Sequence, residues 1–271
     1  MTIPGKRPRL IATDLDGTII PHDGPISKRN IDAFTAAHHL GIEIFIVTGR
    51  PPRWMREVAQ QLPFAKAICC NGALLYDLAT DQVLEQWLIP VEAQKETVRR
   101  LREVIPHIAF AVDINGVFSK EKNYHTVYDI AESNLEKIEE VMREPAMKML
   151  ARCAKQEFTS DEMLALAHNS VSDLVTVTHS NPLESLLEIS ALGINKGTTL
   201  ARMAERAGIA AEDVVAFGDN PNDFPMLEWA GRSWAMADGH SDAPNYANFV
   251  ADPHHHDGVA IVIEELLTLP E

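Results

Sequence analysis

The run Asp14-Leu15-Asp16-Gly17-Thr18 directly follows the apolar residues 10–13, which read as a short buried strand. Side chains two apart on an extended chain point the same way, so both carboxylates are expected to face one pocket at the strand's carboxyl end. Gly17 lets the backbone turn away there. Paired carboxylates can divide the work of a nucleophile from that of an acid and base. Asp-Gly is also a common turn dipeptide, so this run alone fits a polar turn equally well. Three further elements carry residues of the same chemical kind. Thr48-Gly49 closes the strand-like run 42–47 and precedes a helical pattern, so a hydroxyl and a backbone N–H can meet an anion at a helix N-terminus. Lys196-Gly197 opens another helix, and Gly218-Asp219-Asn220-Pro221-Asn222-Asp223 ends the apolar run 214–217 with two more carboxylates. Taken singly these are a helix cap, a solvated lysine and a polar turn. All of them fall at strand ends or helix starts, and together they describe one site.

The elements that must position them alternate. A strand at 10–13 is followed by a helix that Ser27 caps and that closes near Gly41. A strand at 42–47 comes next, then a helix opened by Arg50 and the Pro51-Pro52 pair, then a strand at 67–70. This order predicts an α/β fold with a parallel sheet, whose ligands lie at the carboxyl ends of the strands. The pattern changes between about Leu84 and Ile189. Strand-like pieces at 108–113, 147–153, 174–178 and 186–189 surround helices at 91–105 and 159–167, the second opening with a capping-box spacing from Thr159 to Glu162. The alternation resumes past Lys196. The expected organisation is a split core, 1–84 and 190–271, interrupted by an α+β insert at 85–189.

These motifs resemble those of the haloacid dehalogenase superfamily, and within it the Cof-type (subfamily IIB) sugar-phosphatase-like branch: Asp14 to Thr18, Thr48-Gly49-Arg50, Lys196, and Gly218-Asp219 with Asn222-Asp223. The stretches Asn71-Gly72-Ala73, Asn195-Lys196-Gly197 and Asp257-Gly258-Val259-Ala260 are also similar, and the insert resembles that branch's C2-type cap on a Rossmann-like core. The resemblance implies a Mg²⁺-dependent phosphatase of small phosphorylated metabolites, such as sugar phosphates, pyridoxal phosphate or flavin mononucleotide. It implies Asp14 as the nucleophile that becomes an aspartyl-phosphate, and Asp16 as general acid and base. Mg²⁺ would be held by Asp14, the backbone carbonyl of Asp16 and Asp219. Thr48, Gly49, Asn222 and Lys196 would hold the phosphoryl group, with Asp223 orienting Lys196 or metal-bound water. Four carboxylates against one lysine make a cation a physical need, since one like-charge pair at 4 Å costs about 4 kcal/mol at an effective dielectric of 20. A phosphomutase shares this core and chemistry. A receiver-like signalling protein also uses Asp, Thr, Lys and Mg²⁺, but needs only about half the length.

The chain has 271 residues, with 24 basic and 39 acidic side chains and a formal charge of −15, which disfavours nucleic acid and anionic lipid as partners. No apolar run spans a bilayer, no export signal is readable, and three cysteines give no disulfide framework, so a cytoplasmic protein is expected. Oligomeric state is not legible. Cys69-Cys70 reads as buried inert thiol. The residues Ala235 to Gly239 depart from the branch's usual Met-Gly-Asn-Ala-like loop and receive no role. Three consecutive side chains cannot all face one ion in a regular element, so His254-His255-His256 is not assigned as a metal site. Asn115 and residues 124–128 are the candidates for selecting the substrate from the insert.

Overall fold

In a computed structural model, residues 5–21, 24–126, 133–153 and 157–271 are described. The chain begins with β1 (Leu10–Thr13), α1 (Lys28–His39), β2 (Glu43–Val47), α2 (Arg56–Gln61) and β3 (Lys66–Cys69), and continues into β4 (Leu74–Asp77) and β5 (Gln82–Gln86). The insert contains α3 (Val91–Val104), β6 (Ile108–Ile114), β7 (Val117–Glu121), β8 (Ser133–Leu135), β9 (Lys148–Cys153), α4 (Ser160–Val171), β10 (Val175–Thr178) and β11 (Leu186–Ala191). The chain closes with α5 (Lys196–Arg206), β12 (Val214–Gly218), α6 (Phe224–Trp229), β13 (Arg232–Met236), β14 (Phe249–Ala251) and α7 (Gly258–Leu267).

Two compact units result, one made of Met1–Glu85 with Lys196–Glu271 and the other of Gln86–Asn195. The return to the first unit lies a few residues beyond the expected position, because β11 runs to Ala191 and pairs within the insert's own sheet. The first unit is built on one sheet in the order β14-β13-β12-β1-β2-β3-β4-β5, parallel from β14 to β3. Strands covered on both faces read as continuous apolar runs, and β1 and β12 are buried at every residue. The sheet does not stay parallel. β4 turns back antiparallel on β3, and β5 extends that edge with mostly exposed residues. β4 is apolar and buried but only four residues long, and β5 is half-polar and mostly exposed, so neither shows a clear strand period in the sequence.

Ser27 caps α1 by accepting the Asn30 N–H at 3.1 Å. The helix expected at Pro51-Pro52 forms only a single turn at Pro52–Trp54, and α2 starts at Arg56. The second unit has a sheet in the order β10-β11-β9-β6-β7-β8, antiparallel except between β7 and β8. One face packs under α3 and α4 around Val98, Leu101, Phe110, Met149 and Met163. The capping box at Thr159 and Glu162 is formed. Among the described residues no helix is long and apolar enough to cross a membrane.

Candidate active site

The ladder between β1 and β12 runs one residue past β1, where the Asp14 N–H donates to the Phe217 carbonyl at 3.0 Å. Asp14 is buried. Beyond it the chain leaves the strand conformation: the N–H groups of Thr18, Ile19 and Ile20 all donate to the Leu15 carbonyl, at 3.2, 2.9 and 2.8 Å. Strand alternation therefore does not govern the two carboxylates, and they end in different surroundings. Asp14 receives the Lys196 ammonium at 2.6 Å. The Asp16 side chain is 52% exposed and is gripped by Arg50, with Nε donating to Oδ2 at 2.8 Å and the terminal nitrogen to Oδ1. Arg50 follows Thr48-Gly49 on the loop after β2, and this counter-charge for Asp16 was not expected from the sequence.

Lys196 is the first residue of α5 and is fully buried. Gly197 beside it lets α5 approach α6, since a Cβ there would lie 2.3 Å from the Pro225 carbonyl oxygen. Nζ of Lys196 bridges Asp14 and Asp223, each at 2.6 Å. Asp223 folds back under the end of β12, where Gly218 leaves the room. Its Oδ2 accepts the N–H groups of Asp219 at 3.0 Å and Asn220 at 3.1 Å. The side chain thus fixes both the lysine and the turn, and most of its acceptor capacity is spent.

Asp219 is held by the β1 loop and by its neighbour: Thr18 Oγ1 donates to Oδ1 at 3.3 Å and Asn220 Nδ2 to Oδ2 at 2.6 Å. Gly17, at a φ of 80°, lies so close that a Cβ would sit 2.4 Å from Asp219 Oδ2. Carboxylate oxygens of Asp14, Asp219 and Asp223 come within 4.8 Å of one another. Burial first, then the neighbouring charges of Asp223 and Asp16 working against Lys196, push the Asp14 carboxyl up to about 7. Burial together with Asp14 and Asp223 drives Asp219 well above the usual carboxylate range. Burial opposes the charge on Lys196, yet Asp14 and Asp223 overcome it and hold the ammonium above its ordinary value. Asp14 and Asp219, two buried carboxylates that resist ionisation and whose oxygens lie close together, offer hard oxygen donors of the kind a cation such as Mg²⁺ takes, whereas the oxygens of Asp223 are already engaged.

Thr48 is buried after β2. Its Oγ1 accepts the Arg50 N–H at 3.1 Å, which leaves the hydroxyl hydrogen to donate elsewhere. Because α2 starts only at Arg56, Thr48 and Gly49 lie in a loop and not at a helix N-terminus, contrary to the expectation from sequence. The Thr48 carbonyl accepts the Asn71 N–H at 3.0 Å, and Asn222 Nδ2 donates to Asn71 Oδ1 at 3.2 Å. Cys70, Asn71 and Gly72 take φ values of 52°, 55° and 107°, a left-handed turn that suits Asn and Gly. Asn71 thereby joins the loops after β2, β3 and β12. The structure brings together Asp14, Lys196, Asp219 and Asp223 as one cluster, and Thr48 with Asn222 through Asn71. The sequence reading missed Arg50, Asn71, Asn220 and Thr18 as its supports, although Arg50, Asn71 and Thr18 fall in motifs that were legible.

The other candidates lie elsewhere. All three cysteines are buried thiols, and burial pushes Cys69 well up. In the second unit Asn115 is exposed and donates to Glu144 at 2.7 Å, whereas Tyr124 packs beside Ala109, Ala111 and Phe118. Residues 127 and 128 lie outside the described residues.

A family model for haloacid dehalogenase-like hydrolases matches residues 11–263, which takes in every residue of the cluster. The chain belongs to that family. It is 32% identical to a pyridoxal phosphate phosphatase of Escherichia coli (strain K12), over 93% of this chain and 96% of the relative. It is 27% identical to a 5-amino-6-(5-phospho-D-ribitylamino)uracil phosphatase of Bacillus subtilis (strain 168), over 94% of each. Its fold matches a solved sugar phosphatase of HAD subclass IIB with a TM-score of 0.80, at 22% identity over 96% of this chain and 100% of that one. A hydrolase of this family whose relatives along its whole length are phosphatases is itself a phosphatase.

Proposed function

We propose that this phosphatase hydrolyses monoesters of small phosphorylated metabolites with Mg²⁺, through a phosphoryl group carried on Asp14. The observation that carries the reading is the Lys196 bridge between Asp14 and Asp223, which fixes one carboxylate at the sheet edge and leaves its second oxygen to attack. Asp14, Asp219 and the backbone carbonyl of Asp16 are the groups that would hold Mg²⁺. When bound, the ion neutralises charge on the buried carboxylates and on the phosphoryl oxygens.

Asp14 Oδ2 attacks phosphorus in line, the ester P–O bond breaks, and Asp16 gives its proton to the departing alkoxide. Asp16, as carboxylate again, then takes a proton from water, which attacks the acyl phosphate and releases inorganic phosphate with Asp14 restored. Lys196 bears on the phosphoryl oxygens from inside while it holds Asp14. The Thr48 hydroxyl, the Gly49 N–H and the Asn222 amide complete the anion cradle, Asn71 setting the first and last relative to each other. Arg50 fixes the direction of the half-exposed Asp16 carboxylate.

The −15 charge of the chain makes a bound cation more necessary for a dianionic substrate. The acidity of the chain is the ground on which nucleic acid and anionic lipid are disfavoured as partners. The test is phosphate release from a panel with Mg²⁺ containing pyridoxal phosphate, flavin mononucleotide, a ribityl phosphate and several sugar phosphates. Release from at least one class, abolished by chelator, is expected. Conversion of a sugar phosphate to its isomer without release would make the enzyme a mutase.

A further inference from the structure

Strands β13 and β14 lie side by side in parallel, with Met236 opposite Ala251, and the Ala237 N–H donates to the Ala251 carbonyl at 3.1 Å. Their carboxyl ends therefore bring Asp238 to the helical turn His254–His256. Asp238 Oδ1 accepts the His254 backbone N–H at 3.2 Å, which turns Oδ2 towards the rings. His254 Nδ1 stands 2.6 Å and His255 Nδ1 3.3 Å from that one oxygen, and all three donor atoms lie within 4.8 Å of one another.

We infer that Asp238, His254 and His255 form a second metal site, which takes a Zn²⁺-like transition-metal ion in preference to Mg²⁺. Two imidazoles and a carboxylate are the donors that Zn²⁺ and its neighbours select, whereas the all-oxygen cluster around Asp14 suits Mg²⁺. A tetrahedral ion with bonds of about 2.0 Å has donor-to-donor edges of about 3.3 Å. The His255 edge already has that length, and the His254 edge needs to open by a fraction of an ångström on a half-buried side chain. Coordination through Nδ1 requires each ring to carry its proton on Nε2. Two of three consecutive histidines suffice here because the third protein ligand comes from another strand, an arrangement that sequence spacing could not reveal. The fourth position belongs to water or an external ligand. The site also adjoins the catalytic unit's backbone. Gly239, next to Asp238, packs so tightly on Asp219 that a Cβ would lie 2.6 Å from the Asp219 carbonyl oxygen, and the His240 N–H donates to that oxygen at 2.7 Å.

The test is a Zn²⁺ titration of the full chain in excess Mg²⁺, by calorimetry and by ¹⁵N NMR of the imidazoles, and it does not depend on catalysis. One equivalent of Zn²⁺ should shift Nδ1 of both His254 and His255. His255→Gln, at an exposed side chain, and Asp238→Asn should each weaken binding at least as much as the roughly 10–100-fold lost when an outer-sphere partner is removed, while His256→Gln and Asp14→Asn keep it. Unmoved His254 and His255 resonances, unchanged affinity in His255→Gln and Asp238→Asn, or an equal loss in His256→Gln would each overturn the site.

Discussion

Asp14 and Asp16 leave the same loop two residues apart and are anchored in opposite ways. Asp14 lies in a buried cluster in which the fully buried Lys196 bridges it to Asp223. Asp16 is half exposed and tied to a partly exposed arginine. A buried charge stripped of its partner is costly, whereas an exposed pair contributes little to stability and can part readily. The contrast matches the two roles proposed. The group that forms a bond to phosphorus must be fixed, and the group that passes a proton to successive partners must be able to move.

Lys196→Met should break the buried half. Asp14 and Asp223 would then face each other without a cation, and we expect a loss of about 3–5 kcal/mol in urea unfolding together with loss of turnover. A loss below about 1 kcal/mol would mean that the cluster is not held by this charge.

Removing Mg²⁺ probes the same half by pH. The folded, metal-free chain holds a proton on Asp14 up to about pH 7, whereas the unfolded chain gives it up near pH 4. Its contribution to stability is therefore complete below about pH 4 and is lost as pH rises through 7. The melting temperature of chelated protein should fall between pH 5 and 8, Mg²⁺ should restore it most at pH 8, and Asp14→Asn should flatten the slope. A profile equally steep in Asp14→Asn would assign the titration to other groups.

Arg50→Gln addresses the exposed half and should change stability by less than about 1 kcal/mol. Turnover should fall by roughly tenfold, below the 10² to 10⁴ that general acid–base catalysis is worth, because the acid is misdirected but present. The loss should be greater for an alkyl than for an aryl phosphate. Equal losses would limit Arg50 to substrate binding.

How legible these halves were in the sequence follows from what positions each residue. Asp14 and Asp219 follow directly on the apolar strands β1 and β12, Lys196 opens α5 and Asp223 lies in the short motif after β12, so local pattern locates them although the fold sets their directions, and the core strands β1, β2 and β12 were readable from the same apolar runs. Arg50 meets Asp16, Asn71 meets Asn222 and Asp238 meets His254 across loops from different strands, and no spacing encodes those meetings. β5 and the insert's β7 and β8 went unread because short, partly exposed segments lack an apolar period, and the buried β4 because four residues are too few to show one. Proline at 51 and 52 suggested a helix start that the chain delays to Arg56.

The central claim, that Asp14 carries the phosphoryl group while Asp16 moves the proton, is tested most directly by rapid quench of Asp16→Asn. With an activated aryl phosphate, which needs little protonation on leaving, the account predicts a burst of aryl alcohol of about one equivalent per site, slow turnover afterwards, and the phosphoryl group trapped on Asp14. A sugar phosphate should give almost no burst. Equal rate losses for both substrates, with no phosphoryl group on the protein, would contradict it.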